Sequence, residues 1–85
     1  MPEVPQHLRI DQPARYRITV QGRFGKQGTA MFEGITVEIE ARPVSPVTVL
    51  TGRVADQAAL MGLLNQLYGF GFPLLSVECT AIAKS

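Results

Sequence analysis

Strict alternation of apolar and polar side chains over two separate stretches constrains this chain more than any other feature. In Arg15–Gln21 and again in Ile35–Ala41, every second residue is apolar. A period of two is typical of a β-strand that buries one face and exposes the other. The sequence therefore predicts two half-buried strands, the first with Tyr16, Ile18 and Val20 facing the core.

These two strands carry complementary charges on their polar faces. An antiparallel register that sets Arg17 opposite Glu38 and Arg15 opposite Glu40 also sets the apolar residues of the two strands opposite each other. Such cross-strand pairs each add a few tenths to about 1 kcal/mol of stability. We therefore expect a β-hairpin with salt bridges along its exposed face. We interpret the two glutamates as part of those salt bridges rather than as an acid–base pair.

Two further strands and one helix are predicted in the second half of the chain. Val47–Arg53 is rich in β-branched residues, and Leu74–Ile82 alternates again. Between them, a helix is predicted, with Asp56 as its N-cap and Gly69 as the C′ residue that ends it. The leucines follow the i, i+3, i+4, i+7 spacing of one helix face: Leu60, Leu63, Leu64 and Leu67.

The element order β-β-β-α-β predicts an α+β fold, with a single four-stranded mixed sheet and one helix packed on one face. The step from the third strand through the helix to the fourth should connect strands that run in the same direction. We expect the fourth strand to lie beside the first, in the order 4-1-2-3, because the helix then crosses the middle of the sheet.

Length and composition indicate one globular domain. The chain has 85 residues, of which 46% are hydrophobic and 18% charged, a composition that argues against disorder. We expect residues 1–13, which include three prolines, to be a flexible tail, and residues 14–85 to form the domain. No apolar run is long enough for a membrane span. The lack of a targeting signal at the start and the single cysteine favour the cytoplasm.

The sequence contains no recognisable catalytic or metal-binding set. His7 is the only histidine and lies in the predicted tail, while Cys79 is the only cysteine and falls among the inward-facing residues of the last strand. Catalysis needs a nucleophile or an acid–base pair with a third group that orients it. We therefore predict a protein that is not an enzyme and has no cofactor. The net charge of +1 argues against nucleic acid as a partner.

The glycine-rich connection Gly22–Gly34 leaves two interpretations open. It is either a plain loop between the first two strands or an anion- or ligand-binding loop, as in a small-molecule sensor or carrier. In the second case, Arg23 and Lys26 would hold the ligand, and Phe24 and Phe32 would close over a pocket between helix and sheet. Nucleotide-binding glycine motifs run from a strand into a helix, which this stretch does not.

A mismatch of widths predicts self-association. Four strands make a sheet about 19 Å wide, whereas one helix covers about 10–12 Å of it. No residue from Gln57 to Tyr68 is charged, although a solvated helix face usually carries Lys and Glu. We expect a homo-oligomer or a complex with a protein partner, unless aromatic residues cover the sheet within one chain. The candidate interface residues are Met61, Tyr68, Phe70 and Phe72.

The segment Leu50–Val77 resembles a block that recurs in a family of small, functionally uncharacterised bacterial proteins. The matching positions are Thr51-Gly52, Asp56–Leu60 (DQAAL), Gly62–Asn65 (GLLN) and Gly71–Val77 (GFPLLSV). Members of this family often carry a histidine where this chain has Met61. The resemblance implies a soluble, stand-alone bacterial protein, and it implies no activity and no site residues.

Overall fold

The computed structural model describes residues 8–24 and 34–82. Its elements follow the order β-β-β-α-β, so the predicted α+β fold with one helix on one four-stranded sheet is confirmed. In chain order the elements are β1 (Ala14–Gln21), β2 (Ile35–Glu40), β3 (Val47–Val54), α1 (Gln57–Gly69) and β4 (Leu74–Ile82).

The strands lie in the order β2-β3-β1-β4, and every pair of neighbours is antiparallel. The expected mixed sheet is therefore wrong, as is the order 4-1-2-3, because β3 lies between β1 and β2. Two parts of the prediction are confirmed. β4 lies beside β1, and β3 and β4, on the two sides of β1, run in the same direction.

The position of β3 follows from its composition. Its only charged residue is Arg53, and it alternates buried with half-buried positions over most of its length. β2 carries Glu38 and Glu40 and leaves its second half exposed. A largely buried strand with few charges is favoured in the interior of a sheet, whereas charged residues are common at an edge, where they discourage further pairing. β2 pairs with β3 across the six residues 41–46, while β1 and β2 are separated by the thirteen residues 22–34.

This topology removes the predicted salt bridges between β1 and β2. Arg17 lies opposite Thr51 of β3 and Glu78 of β4 rather than opposite Glu38. Arg15 lies opposite Arg53 rather than Glu40. The arginines of β1 and the glutamates of β2 therefore lie on separate parts of the sheet.

The core lies between α1 and the face of the sheet that it covers. Tyr16, Ile18 and Val20 are buried there, as their alternation predicts, together with Leu50 and Leu67. The buried members of the leucine face of the helix are Leu60 and Leu67, while Leu63 and Leu64 are half-buried against the same core.

Both ends of α1 have identifiable caps. Asp56 is the N-cap, as predicted, and its carboxylate accepts a hydrogen bond from the Ala59 N–H at 2.8 Å. The predicted role of Gly69 as the C′ residue is wrong: Gly69 is the last helical residue, Phe70 is the C-cap, and Gly71 adopts the left-handed conformation of a C′ residue, with φ of +86°.

The turn that follows is a Schellman motif. The Phe72 N–H donates to the Leu67 carbonyl at 3.2 Å, and the Gly71 N–H donates to the Tyr68 carbonyl at 2.9 Å. These bonds satisfy carbonyl groups at the end of the helix and direct the Phe72 side chain back toward the core.

Two irregularities in the pairing of β1 with β4 change which β4 side chains share a face. They fall between Arg15 and Tyr16 and between Thr19 and Val20. Strict alternation grouped Leu75 and Ala81 with Val77 and Cys79, facing inward. Instead Leu75 lies beside the polar residues of the opposite face, and Ala81 is paired with the outward-facing Arg15.

Residues 8–13, the described part of the predicted tail, contact the domain. The Ile10 carbonyl accepts a hydrogen bond from the Gln57 N–H at the start of α1, at 2.8 Å. Leu8 packs against the core. The side chain of Gln57 also donates to the Tyr16 hydroxyl at 3.1 Å, so the start of the helix is tied to both β1 and this segment.

Candidate functional site

An apolar groove separates the C-terminal half of α1 from the beginning of β4. Its apolar lining comes from both elements and the turn between them: Leu64, Leu67, Tyr68, Phe72, Pro73 and Leu74. The groove encloses about 330 Å³. Tyr68 is 81% exposed and Leu74 is 51% exposed, so side chains that normally prefer burial here contact solvent. We refer to this feature as the edge groove.

The exposed apolar surface continues along both elements away from the edge groove. Met61 is 49% exposed and lies on the same side of α1 as Leu64 and Tyr68, at the i, i+3, i+7 spacing. On β4, Val77 lies on the helix side of the sheet and is also exposed. Leu75 is 52% exposed on the opposite face. Exposed apolar side chains thus occur on both faces of β4. What they share is their position on a strand at the edge of the sheet.

The two edges of the sheet differ in how they are protected from pairing with other strands. β2 has six residues, two of them glutamates, and Pro43 follows soon after it. β4 has nine residues, and Glu78 is its only charge. Natural proteins protect exposed edges with charges, prolines, short strands or covering elements. Among the described residues, β4 has one charge and the two irregularities in its pairing with β1, and no proline or covering element.

Four candidate interface residues are predicted from the sequence, and two of them lie at the edge groove. Tyr68 and Phe72 line it, and Met61 lies one helical turn before it. Phe70, at 48% exposure, instead packs edge-on against Phe24 with ring centroids 5.8 Å apart. Whether these residues form an interface stays a prediction.

Two of the four candidate ligand-loop residues are described. Arg23 is exposed, whereas Phe24 is buried and packs edge-on against Phe72, with centroids 5.0 Å apart. The Phe24 N–H donates to the hydroxyl of Thr48 at 3.1 Å. Lys26 and Phe32 lie outside the described residues. The ligand-loop hypothesis therefore stays a prediction.

The face of the sheet opposite α1 is polar and open. A shallow concavity of about 600 Å³ crosses it from β2 to β4, and its lining includes Arg17, Thr51, Glu38 and Glu78. Glu40 at its β2 side pairs with Arg42 at 3.0 Å. We refer to this surface as the open face.

Sequence reasoning missed part of each surface. Periodicity predicts that Leu64 and Val77 face the core, yet both lie toward the β4 edge and keep exposed area. Alternation places Leu74 on the outward face, yet it lies opposite the buried Val20 on the helix side of the sheet. Arg53 was read only as the end of a strand. Its place opposite Arg15 depends on the strand order, which no local pattern signals.

The described residues hold few groups for acid–base or metal chemistry. Within residues 8–24 and 34–82, no three His, Cys, Asp or Glu side chains lie close enough to hold a metal ion. Cys79 is half-buried against the core, and His7 lies outside these ranges. No helix in the same ranges has the length and apolar character needed to cross a membrane.

Comparison with known proteins gives one match. Residues 15–78 match the model of a family described as Domain of unknown function (DUF8691). The matched range begins within β1 and ends within β4, so it spans all four strands and the helix. No curated protein and no solved structure matches the chain.

Proposed function

This chain belongs to the family Domain of unknown function (DUF8691), and we propose that it is a small, non-enzymatic bacterial association domain. In this proposal, two copies pair through the free edge of β4 and cover each other's edge grooves. The observation that carries it is the exposed apolar surface on α1 and on both faces of β4. The unpaired Cys79 supports a reducing compartment such as the cytoplasm.

The main chain of β4 favours a second copy as the occupant. Two identical edge strands related by a two-fold axis pair antiparallel, and this extends the four-stranded sheet to eight strands. The nine residues of β4 provide an edge about 30 Å long. Every neighbouring pair in the sheet is already antiparallel, so the added pairing continues the same geometry.

The side chains contribute the apolar part of the contact. The exposed portions of Met61, Tyr68, Leu74 and Val77 amount to roughly 400 Å², a patch size that is often functional on small proteins. A specific interface buries about 800 Å² on each partner. The patch supplies about half of this area, and the main chain of the β4 edge adds to it. A domain of 85 residues also gains from the added burial, since its own core is small.

Replacing a groove residue with lysine tests this proposal. In Leu74→Lys, a charge enters the centre of the proposed contact, while the half-exposed position allows the monomer to fold. We expect light scattering after size exclusion to give twice the chain mass for the wild type at tens of micromolar, and the single mass for the variant. Tyr68→Lys should act in the same way.

Val44→Lys is the matched control, because Val44 is 99% exposed in the turn between β2 and β3, away from the edge groove. It should leave the dimer intact. Far-UV circular dichroism and a cooperative thermal transition should show that all three variants are folded. A wild-type monomer at these concentrations, or an unchanged mass for Leu74→Lys, would refute the proposal.

A further inference from the structure

Three arginines converge at one end of the open face. Arg15 of β1 lies directly opposite Arg53 of β3, and Arg17 is the next residue of β1 on the same face. All three side chains are exposed. Directly opposite residues of antiparallel strands have Cβ atoms about 5 Å apart. The two strands therefore hold three guanidinium groups within reach of one small ligand.

None of these arginines forms an ion pair in the part of the chain that the structure describes. The ion pairs there are Arg9–Asp11 and Arg42–Glu40, and neither includes them. Glu78 is the register neighbour of Arg17 without forming an ion pair with it. Like charges directly opposite each other destabilise a sheet. The repulsion between Arg15 and Arg53 therefore destabilises the free protein, and a bound anion would reduce it.

The glutamates expected to pair with these arginines are distant. Glu38 lies beside Val49, four residues before Arg53 on β3, which corresponds to about 13 Å along the strand. Glu40 lies farther still and is engaged by Arg42. The open face therefore has Arg15 and Arg53 at one end and Glu38 and Glu40 at the other, and Glu78 is the one carboxylate that lies opposite an arginine of the cluster, Arg17.

Neighbouring hydroxyl groups add hydrogen-bond donors beside the arginines. Thr51 lies opposite Arg17, and Thr36 lies opposite Thr51 in the same row of the sheet. Guanidinium groups bind phosphate oxygens in a two-pronged geometry, and hydroxyls complete such sites. Arg17 and Thr51 also border the concavity of about 600 Å³, a volume typical of small-molecule sites.

We propose that Arg15, Arg17 and Arg53 bind the phosphate group of a small phosphorylated molecule. The organic part of that molecule extends into the concavity of the open face. The lining of this concavity contains no aromatic residue among the described part of the chain. The site therefore lacks the stacking surface with which sheet-based proteins hold single-stranded nucleic acid.

Calorimetric titration of the full chain at constant ionic strength tests the proposal, with inorganic phosphate and glycerol 3-phosphate as probes. Both should bind, whereas chloride should give no saturable heat. Arg53→Gln should weaken phosphate binding about tenfold or more, because it removes a charge-assisted donor. The same variant without ligand should melt at or above the wild-type temperature, because the repulsion with Arg15 is gone.

Arg9→Gln is the matched control, since Arg9 pairs with Asp11 outside the sheet. It should bind phosphate as the wild type does. Equal loss of binding in Arg9→Gln, or a lower melting temperature for ligand-free Arg53→Gln, would overturn the proposal. Salt-sensitive binding of a single-stranded oligonucleotide without any response to inorganic phosphate would also overturn it, in favour of a polymeric ligand.

Discussion

Thr48 is a buried polar residue whose replacement by valine isolates the contribution of two hydrogen bonds. Its side chain is fully buried. The hydroxyl donates to the Gly22 carbonyl at 2.7 Å and accepts from the Phe24 N–H at 3.1 Å. The hydroxyl therefore links β3 to the residues that follow β1, where the chain leaves the sheet. Valine has nearly the same shape, so Thr48→Val changes the hydrogen bonding with little change in packing.

The expected loss is large for a domain of this size. A typical hydrogen bond contributes about 1 kcal/mol to stability. The loss of two bonds therefore predicts that Thr48→Val lowers the free energy of unfolding by about 2 kcal/mol. The melting temperature should fall by roughly 10 °C or more, given the usual entropy of unfolding for small domains.

Urea denaturation followed by circular dichroism measures this effect. The midpoint should decrease while the slope stays constant, which shows that stability rather than compactness has changed. All variants should be compared at one protein concentration, because the proposed dimer would make stability concentration-dependent. Thr48→Ser is the control: it keeps the hydroxyl and loses one methyl group, at a cost of about 1 kcal/mol. If the valine variant is as stable as the serine variant, the reasoning about the hydroxyl is refuted.

Two glycine substitutions should shift stability in opposite directions. Gly71→Ala should cost about 1–2 kcal/mol, because the residue has a φ of +86° and a Cβ would meet no atom within 4 Å, so only the backbone strain acts. Gly62→Ala should stabilise the protein by up to about 1 kcal/mol, because Gly62 is exposed inside α1 and a Cβ there also meets nothing. Urea midpoints check both: a stabilised Gly71→Ala would contradict the assignment of the helix end, and a destabilised Gly62→Ala would contradict the placement of Gly62 in an exposed helix interior.

Local features of the fold were predictable from the sequence. The bounds of β4 match the prediction, and Asp56 caps the helix as expected, because both depend on the geometry of a few consecutive residues. The C′ residue that follows α1 was predicted two positions too early, because Gly69 and Gly71 are equally suitable for that position. What selects Gly71 is the Schellman turn, which directs Phe72 into contact with Phe24. That contact joins distant parts of the chain.

The candidate surfaces were predictable to a smaller extent. The absence of charge on α1 and its aromatic end pointed to Tyr68 and Phe72, which line the edge groove. Leu74, the β4 residue that lines the same groove, was not predicted, because strict alternation places it on the outward face and the irregularity between Thr19 and Val20 brings it to the helix side. The arginine cluster was hidden because Arg15 was assigned a partner on the wrong strand.

By itself, the sequence determined which residues form strands and helix, and which face of β1 is buried. Periodicity expresses local backbone geometry, and a period of two or 3.6 fixes these properties without reference to the rest of the chain. Only the tertiary structure decided the order of the strands, and therefore which strand became a free apolar edge and which charges became neighbours. Strand pairing is a competition between distant segments. β3, with one charged residue and mostly buried or half-buried positions, takes an interior place in the sheet, and β2, with its two glutamates, takes an edge.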